Sequence, residues 1–563
     1  MSGQTQFDVI VVGSGITGGM AAKELTERGL KVLMIERGPM IEHGADYKTE
    51  MTPPWELPFR GYGDPQVLAS DYPVQSKGRY FDEWTSAHFC NDRENPYQTS
   101  AENPFQWRRS YNLGGRSLVW GRQSFRWSAL DFEANKKDGH GVDWPIRYED
   151  LAPWYDHVET FIGVQGSTEH MPALPDGKFQ PPFELNVVEK AVAAKIAATY
   201  PDRRLIISRS AHLTQEKEGR GVCQSRSICA RGCSYGAYFS TQSASLPAAQ
   251  ATGRLTLITD SLVDTLDYDP ATRRVTGVKV LDLKSKTSAT YTAKAVFLCA
   301  GSFNSVALLL RSKSAAMPAG LANASGVLGQ YIMDHVGATS AAVAIPGFAD
   351  KTTFGNRPTG TIVPRFRNLL AHEDTDFLRG YSFFGSSMQL SWRFGESTPG
   401  LGTALKDRLH APGQWVMALN AHGEHLPRAE NRITLDPNRV DANGQAQLRI
   451  DFAYGDNEKK MLLDAQKQAL AMLAPMGGKV SRSSADLNQG GATVHEMGGA
   501  RMGRDPTTSV LNGENQAHEV INLFVTDGAC MSSSASVNPS LTYMALTARA
   551  CARAAKRITS GAL

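Results

Sequence analysis

The chain has little of what would mark it for a membrane, a nucleic acid or a disulfide scaffold. Nowhere in its 563 residues is there an apolar run as long as a membrane span requires. The apolar stretch Val9 to Val12 opens within the first ten residues, which leaves no room for the charged start, apolar middle and cleavage site of a signal peptide. No signal peptide of its own and no direct membrane insertion are therefore expected. A formal charge of +3, with 20% charged residues, supplies no single-sign field, and no nucleic-acid partner is expected. Seven cysteines are too few and too unevenly spaced for a disulfide framework. Repeats and low-complexity linkers are absent too, so a chain of 61.2 kDa is expected to fold as interleaved domains and not as beads on a string.

What is present begins with DVIVVGSGITGGMAAKELTERGLKVLMIERG, Asp8 to Gly38. An apolar strand, a glycine turn, a helix through Glu27 and a second strand ending at Glu36 form a βαβ dinucleotide cradle. Gly13 permits the tight turn, Gly15 lets the backbone approach a pyrophosphate, and Gly18 lets helix and strand pack closely. Glu36 stands where an acid can hold a ribose hydroxyl. NAD, NADP and FAD all fit such a cradle.

From Ser110 to Trp127, SYNLGGRSLVWGRQSFRW places Gly114 and Gly115 among aromatic and basic residues. This is either a surface turn or a backbone brought close to a phosphate or ring. Helices are predicted around Tyr148 to Ile162 and Asn186 to Thr199. Antiparallel strands are predicted from Leu255 through VTGVKVLDL, with a turn at Asp269 to Arg274. The strand Ala295 to Ala300 runs into Gly301 and a helix, bringing a second glycine turn towards the cofactor.

Between about Val343 and Tyr454, short alternating segments carry Phe348, Phe354, Phe366, Phe377, Tyr381, Phe383, Phe384, Trp392, Phe394 and Trp415, with turns at Asp436-Pro437 and Asn443-Gly444. They predict a mostly antiparallel sheet whose aromatics are mainly core. A helix over Asn457 to Ala474, stopped by Pro475, leads back to the first domain. Near the end, Ile521 to Thr526 reads as a strand closed by Asp527-Gly528, and Pro539 suits the first turn of a last helix. The positive end of that helix would face a ring that gains negative charge on reduction.

Taken in order, the GSGITGG cradle with Glu36, the Gly114-Gly115 loop, VFLCAGSFNS, GQYIMDHVG, ENRITLDP and VNPSLTYMA resemble the glucose–methanol–choline (GMC) oxidoreductases over nearly the whole length. The resemblance implies an α/β (α+β) fold: a Rossmann-like FAD-binding domain interleaved with a substrate domain on a mostly antiparallel sheet. The spans would be 1–342, including the cysteine segment at about 220–236, then 343–475, and a C-terminal return at 476–563. FAD would be the cofactor, with Glu36 on the adenosine ribose, Val263 near the adenine, and Asp527 on the pyrophosphate or ribityl region. Asn538, Pro539, Ser540 and Leu541 would lie beside the flavin. The catalytic pair would be His495, in an H-x-x-G element, and Asn538, 43 positions further on, a spacing that matches the family. A base must take the hydroxyl proton while the carbon's hydride passes to the flavin, and His is suited to that near neutrality. His335 and His518 are read as ordinary structural histidines.

Cys223, Cys229 and Cys233 form C-x5-C-x3-C. Three thiolates do not complete a structural zinc site, whereas they suit an iron–sulfur cluster lacking one corner, or they serve the fold alone. They are similar to the cysteines of a GMC branch of bacterial sugar dehydrogenases that bear a [3Fe–4S] cluster, pass electrons to a cytochrome c subunit and pair with a small subunit carrying the export signal. Within that branch HEMGGARMG is most like the glucoside 3-dehydrogenases, although Gln224 stands where some members have an adjacent cysteine. The resemblance thus implies oxidation of a sugar or glycoside, at C3, with location either periplasmic by co-export or cytoplasmic. An O₂-using oxidase and a non-redox lyase on the same fold are the alternatives.

Overall fold

The structure, a computed structural model, describes residues 7–353, 355–369, 375–390 and 399–563. Its first layer is a parallel sheet of five strands in the order Leu523–Val525, Ala293–Leu298, Phe7–Val12, Val32–Ile35 and Leu255–Ile258. The strands read as continuous apolar runs because both faces are covered. On one face, Val9, Val11, Met34 and Phe297 pack against the helices Ile16–Glu27 and Ser540–Thr559. On the other, Ile10, Leu33 and Leu298 share a core with an antiparallel ribbon, Ser261–Asp269, Arg274–Asp282 and Ser288–Tyr291.

The stretch from Leu255 is thus not antiparallel throughout. Leu255–Ile258 is an edge strand of the parallel sheet, and the ribbon starts only after Asp260 turns the chain with φ +51°. Asp tolerates that left-handed conformation better than most residues.

The second layer is an antiparallel sheet of six strands: Lys479–Arg482, Val336–Ile345, Trp415–Gly423, Tyr381–Gln389, Thr361–Val363 and Ile206–Ile207. Two of these strands come from outside 343–475, so the layer is assembled from three separate parts of the chain. Conversely, the hairpin Arg432–Val440 and Ala446–Asp451, inside that span, pairs with Gln98–Thr99 and packs on the helix Ser302–Arg311 of the nucleotide side. Asp436-Pro437 lies within a strand at a register shift, where a missing proline N–H is tolerated.

Helices Val187–Thr199 and Asp456–Leu473 cover one face of the six-stranded sheet, burying Val188, Val192, Met461, Leu462, Ala465 and Met472 against Met417, Leu419, Tyr381 and Phe383. The period of two along Trp415–Gly423 sends Trp415, Met417, Leu419 and Ala421 into that core and turns Asn420 and His422 to the other face, towards the parallel sheet. Phe366, Phe377, Tyr381, Phe383 and Trp415 are core, whereas Phe384 faces a cavity. Phe354, Trp392 and Phe394 lie outside the described residues. Among the described residues no helix is long and apolar enough to cross a membrane.

The glycine turn is fixed by contact. A Cβ on Gly18 would sit 2.0 Å from the Gly13 carbonyl oxygen, and one on Gly13, at φ +94°, 2.6 Å from the Cys299 oxygen. Both neighbours are backbone, so neither can move aside cheaply. Gly18→Ala is expected to lower stability by about 1–3 kcal/mol, read by denaturant unfolding; an unchanged midpoint would refute the close approach.

Candidate active site

Between the two layers runs a cavity of about 1420 Å³. That exceeds the roughly 300–1,000 Å³ of a pocket for one drug-sized ligand. At one end the Ile16–Glu27 helix begins at Gly15 with no side-chain cap and no acid in its first turn, so its first N–H groups are free for an anion. Where Gly15 would carry a Cβ there is nothing within 4 Å. Helices Ser302–Arg311 and Ser540–Thr559 likewise start without side-chain caps, and Gly301, Ser302 and Ser540 line the same cavity. Ser110 Oγ and Arg311 Nε, both on its wall, have no hydrogen-bond partner among the described residues. Three open helix starts, an open glycine and unpartnered polar atoms along one elongated space fit a dinucleotide.

Glu36 stands at this end, its carboxylate accepting from Ser14 N and Oγ and from Gly38 N at 3.2, 2.5 and 2.8 Å. Ser14 Oγ in turn accepts from Gly114 N at 2.8 Å, which ties the Gly114-Gly115 loop to the cradle. Val263 lines the cavity nearby, and Gly115, at φ +49°, faces Gly15. Asp527 is buried and burial pushes its carboxyl up to about 6; it accepts from Gly301 N, Ser305 Oγ and Ala529 N, joining the Gly301 turn to the Gly528–Cys530 turn on the cavity wall.

Gly18, Gly114, Pro539 and Leu541 stand behind the cavity wall. Gly18 and Gly114 pack against Gly13 and Gln242. Ser540 faces the cavity, while Leu541, about 100° round the helix, is wholly buried in the main core.

His495 and Asn538 meet at the other end, Asn538 Nδ2 lying 3.0 Å from His495 Nε2. His335, read from sequence as structural, belongs here: its Nδ1 is 3.1 Å from His495 Nδ1, and its Nε2 is 2.6 Å from the Ala535 carbonyl. That carbonyl can only accept, so Nε2 of His335 carries its proton. Burial keeps His335 neutral, its pKa held well below the usual imidazole value, so its Nδ1 is a bare acceptor. His495 must then donate from Nδ1, which leaves its Nε2 bare towards Asn538 and the cavity. Burial, His422 and Arg116 hold His495 neutral as well.

His422 stacks on His335 with ring centroids 4.0 Å apart and meets His495 edge-on at 5.2 Å. Burial lowers its pKa to about 4, and its Nδ1 has no hydrogen-bond partner among the described residues. The loop bearing His495 is held by Asp334, which accepts from Thr493 Oγ1 and, at 3.1 Å, from His495 N. Val494 stands at φ +60°, a strained conformation for a β-branched residue, immediately before the histidine. His335 and Asp334 were visible in GQYIMDHVG; His422 carried no sequence signal. His518 stays structural, bonded to Ser509 at 3.0 Å.

Cys223, Cys229 and Cys233 lie outside the cavity and gather with Ala237 and Tyr238 in a small apolar cluster. Left-handed Ser225, Ser227 and Gly232 wrap the loop inward, and Cys223 Sγ accepts from Ser225 N at 3.4 Å. Burial pushes the Cys223 thiol up to about 11 and raises Cys229. Three thiols sharing one cluster are soft donors that a binding group could deprotonate, while burial alone favours their neutral form.

Residues 7–337 and 427–547 match the N-terminal and C-terminal profiles of the GMC oxidoreductases. The chain is 28% identical to 2-methyl-1,2-propanediol dehydrogenase of Mycolicibacterium austroafricanum, with 97% of this chain and 94% of that protein covered. It is 25% identical to the fructose dehydrogenase large subunit of Gluconobacter japonicus, with 98% of each covered. Among solved structures, pyridoxine 4-oxidase from Mesorbium loti superposes with a TM-score of 0.61 at 17% identity over 97% of this chain and 99% of that one.

The proton assignment is testable. In the protein with ¹⁵N-labelled histidine, His495 is expected as the Nδ1–H tautomer, and His335→Phe is expected to abolish that preference. A resting His495 protonated at Nε2 would overturn the chain of donors.

Proposed function

The chain belongs to the GMC oxidoreductase family, flavoenzymes acting on alcohol and sugar donors with FAD as cofactor, and on that premise we propose that it is a dehydrogenase oxidising a secondary hydroxyl of a sugar or glycoside, at C3. The observation that carries the reading is the bare Nε2 of His495 set 3.0 Å from the Asn538 amide. A substrate hydroxyl displaces this bond: it donates to Nε2 and accepts from the released Nδ2–H, so one oxygen is held by both side chains. His495 then takes the proton. No carboxylate pairs with its ring among the described residues, and Arg116 disfavours the imidazolium, so the proton is held only weakly after the step.

FAD, when bound, supplies the acceptor for the hydride. Gly13, Gly15 and the first N–H groups of the Ile16–Glu27 helix would hold its diphosphate, Glu36 its ribose, and Val263 its adenine side. Asn420, His422, Gln123 and Ser386 offer hydrogen-bonding groups on the cavity wall, and Phe384 and Trp120 offer apolar faces, a lining suited to the mixed surface of a sugar ring.

The three cysteines would hold a [3Fe–4S] cluster, which supplies a one-electron exit towards a cytochrome c subunit. A relative named as a large subunit supports partner subunits here too, among them a small one bearing the export signal.

His495→Ala is expected to slow anaerobic bleaching of the flavin by sugar about 10²–10⁴-fold with FAD retained; undiminished bleaching would reject His495 as the base. Because the histidine is neutral well below its usual range, kcat/KM is expected to stay level as pH falls to about 6.5 and to drop only below it. An acid limb centred above 7 would show that the base is another group. Cys229→Ser is expected to spare bleaching and to block reduction of a cytochrome.

A further inference from the structure

Arg122 is 2% exposed and lines the cavity, yet among the described residues it has no ion-pair partner. Arg109, Arg126, Arg365 and Arg379 each hold a carboxylate; Arg220, Arg501 and Arg549 are buried without one among the described residues, and of these unpaired arginines Arg122 is the one bonded to the backbone of the cysteine triad. Arg122 Nη2 donates to the Leu118 carbonyl and, at 3.2 Å, to the carbonyl of Cys229. Its guanidinium lies 3.6 Å over the ring of Tyr238, which belongs to the cysteine cluster, and its Nε has no partner. The backbone stands at φ +57°, so the side chain is aimed at some conformational cost.

What surrounds its guanidinium is the Tyr238 ring and the Leu118 and Cys229 carbonyls, none of them an anion. A desolvated cation surrounded by neutral groups is costly unless an anion completes the site. Arg226, the other cation at the cysteines, differs: Glu50 meets it at 2.6 Å, and it reaches Cys233 Sγ only at 3.8 Å.

We infer that Arg122 is the counter-charge to an anionic iron–sulfur group on Cys223, Cys229 and Cys233, and that it makes this group easier to reduce. The inference rests on the reading of the cysteines given above and adds the residue that tunes them. Arg122 is a positioning residue. Its backbone and side chain form the wall between the cavity and the triad, so its field acts where an electron would arrive.

The test uses the full-length protein, analysed for iron and acid-labile sulfide and titrated electrochemically with mediators. Arg122→Met is expected to weaken the reduction equilibrium at least tenfold, about 59 mV for a one-electron couple, and Arg122→Lys to restore most of it. Iron retained with an unshifted potential in Arg122→Met overturns the inference alone, and iron lost from both variants does so by showing a merely structural role. If only Arg122→Met loses iron, alkylation of the metal-free thiols by iodoacetamide at fixed pH decides: several-fold slower alkylation than wild type supports the inference, and equal rates overturn it. Wild-type protein free of iron and sulfide would end this inference and the reading of the cysteines together.

Discussion

The chemistry hangs on a backbone carbonyl. Ala535 C=O accepts from His335 Nε2, and that single bond dictates where each later proton in the histidine pair must sit. Ala535 lies three residues before Asn538, so the loop that presents the amide to the cavity also fixes the tautomer of the base beside it. The arrangement is held without a carboxylate against the imidazole. A carboxylate would raise the pKa of His495, whereas burial, with His422 and Arg116, lowers it. The base is thereby kept ready to accept and poorly able to retain.

Two buried carboxyls do the supporting work in parallel ways. Asp334 holds the His495 loop through Thr493 and a backbone N–H, and Asp527 joins the Gly301 turn to the Gly528–Cys530 turn. Burial raises both to about 6, and in both the bonds from backbone N–H groups oppose that rise. They act on loops, where catalytic geometry is otherwise least well fixed.

Much of this was legible in the residues. The apolar runs and glycines of Asp8–Gly38 located the cradle because strand, turn and helix are all local in sequence. Helices over Tyr148–Ile162 and Val187–Thr199 followed from their period. Partnership across the chain was not legible. That Leu255–Ile258 pairs in parallel with Val32–Ile35 depends on a strand over two hundred residues away, and alternation alone cannot distinguish it from a ribbon. His422 looked like one polar residue in an alternating strand; only the register against Val336–Ile345, which sets it opposite Gly337, brings it to His335. Arg122 is the same case: a basic residue in a glycine-rich loop carries no mark of being buried without an acid.

The order of the parallel sheet has a consequence for the chain as it leaves the ribosome. Phe7–Val12 is made first, but its neighbour Ala293–Leu298 comes only after half the polypeptide, and the flanking Leu523–Val525 near the very end. The Phe7–Val12 strand gains Val32–Ile35 and the Ile16–Glu27 helix early, but its other edge stays open until Ala293–Leu298 is made, and the face shared with the Ser540–Thr559 helix is completed later still. The cofactor's binding layer is then complete only once Leu523–Val525 has been made, and the interval before that is when a chaperone has most to protect.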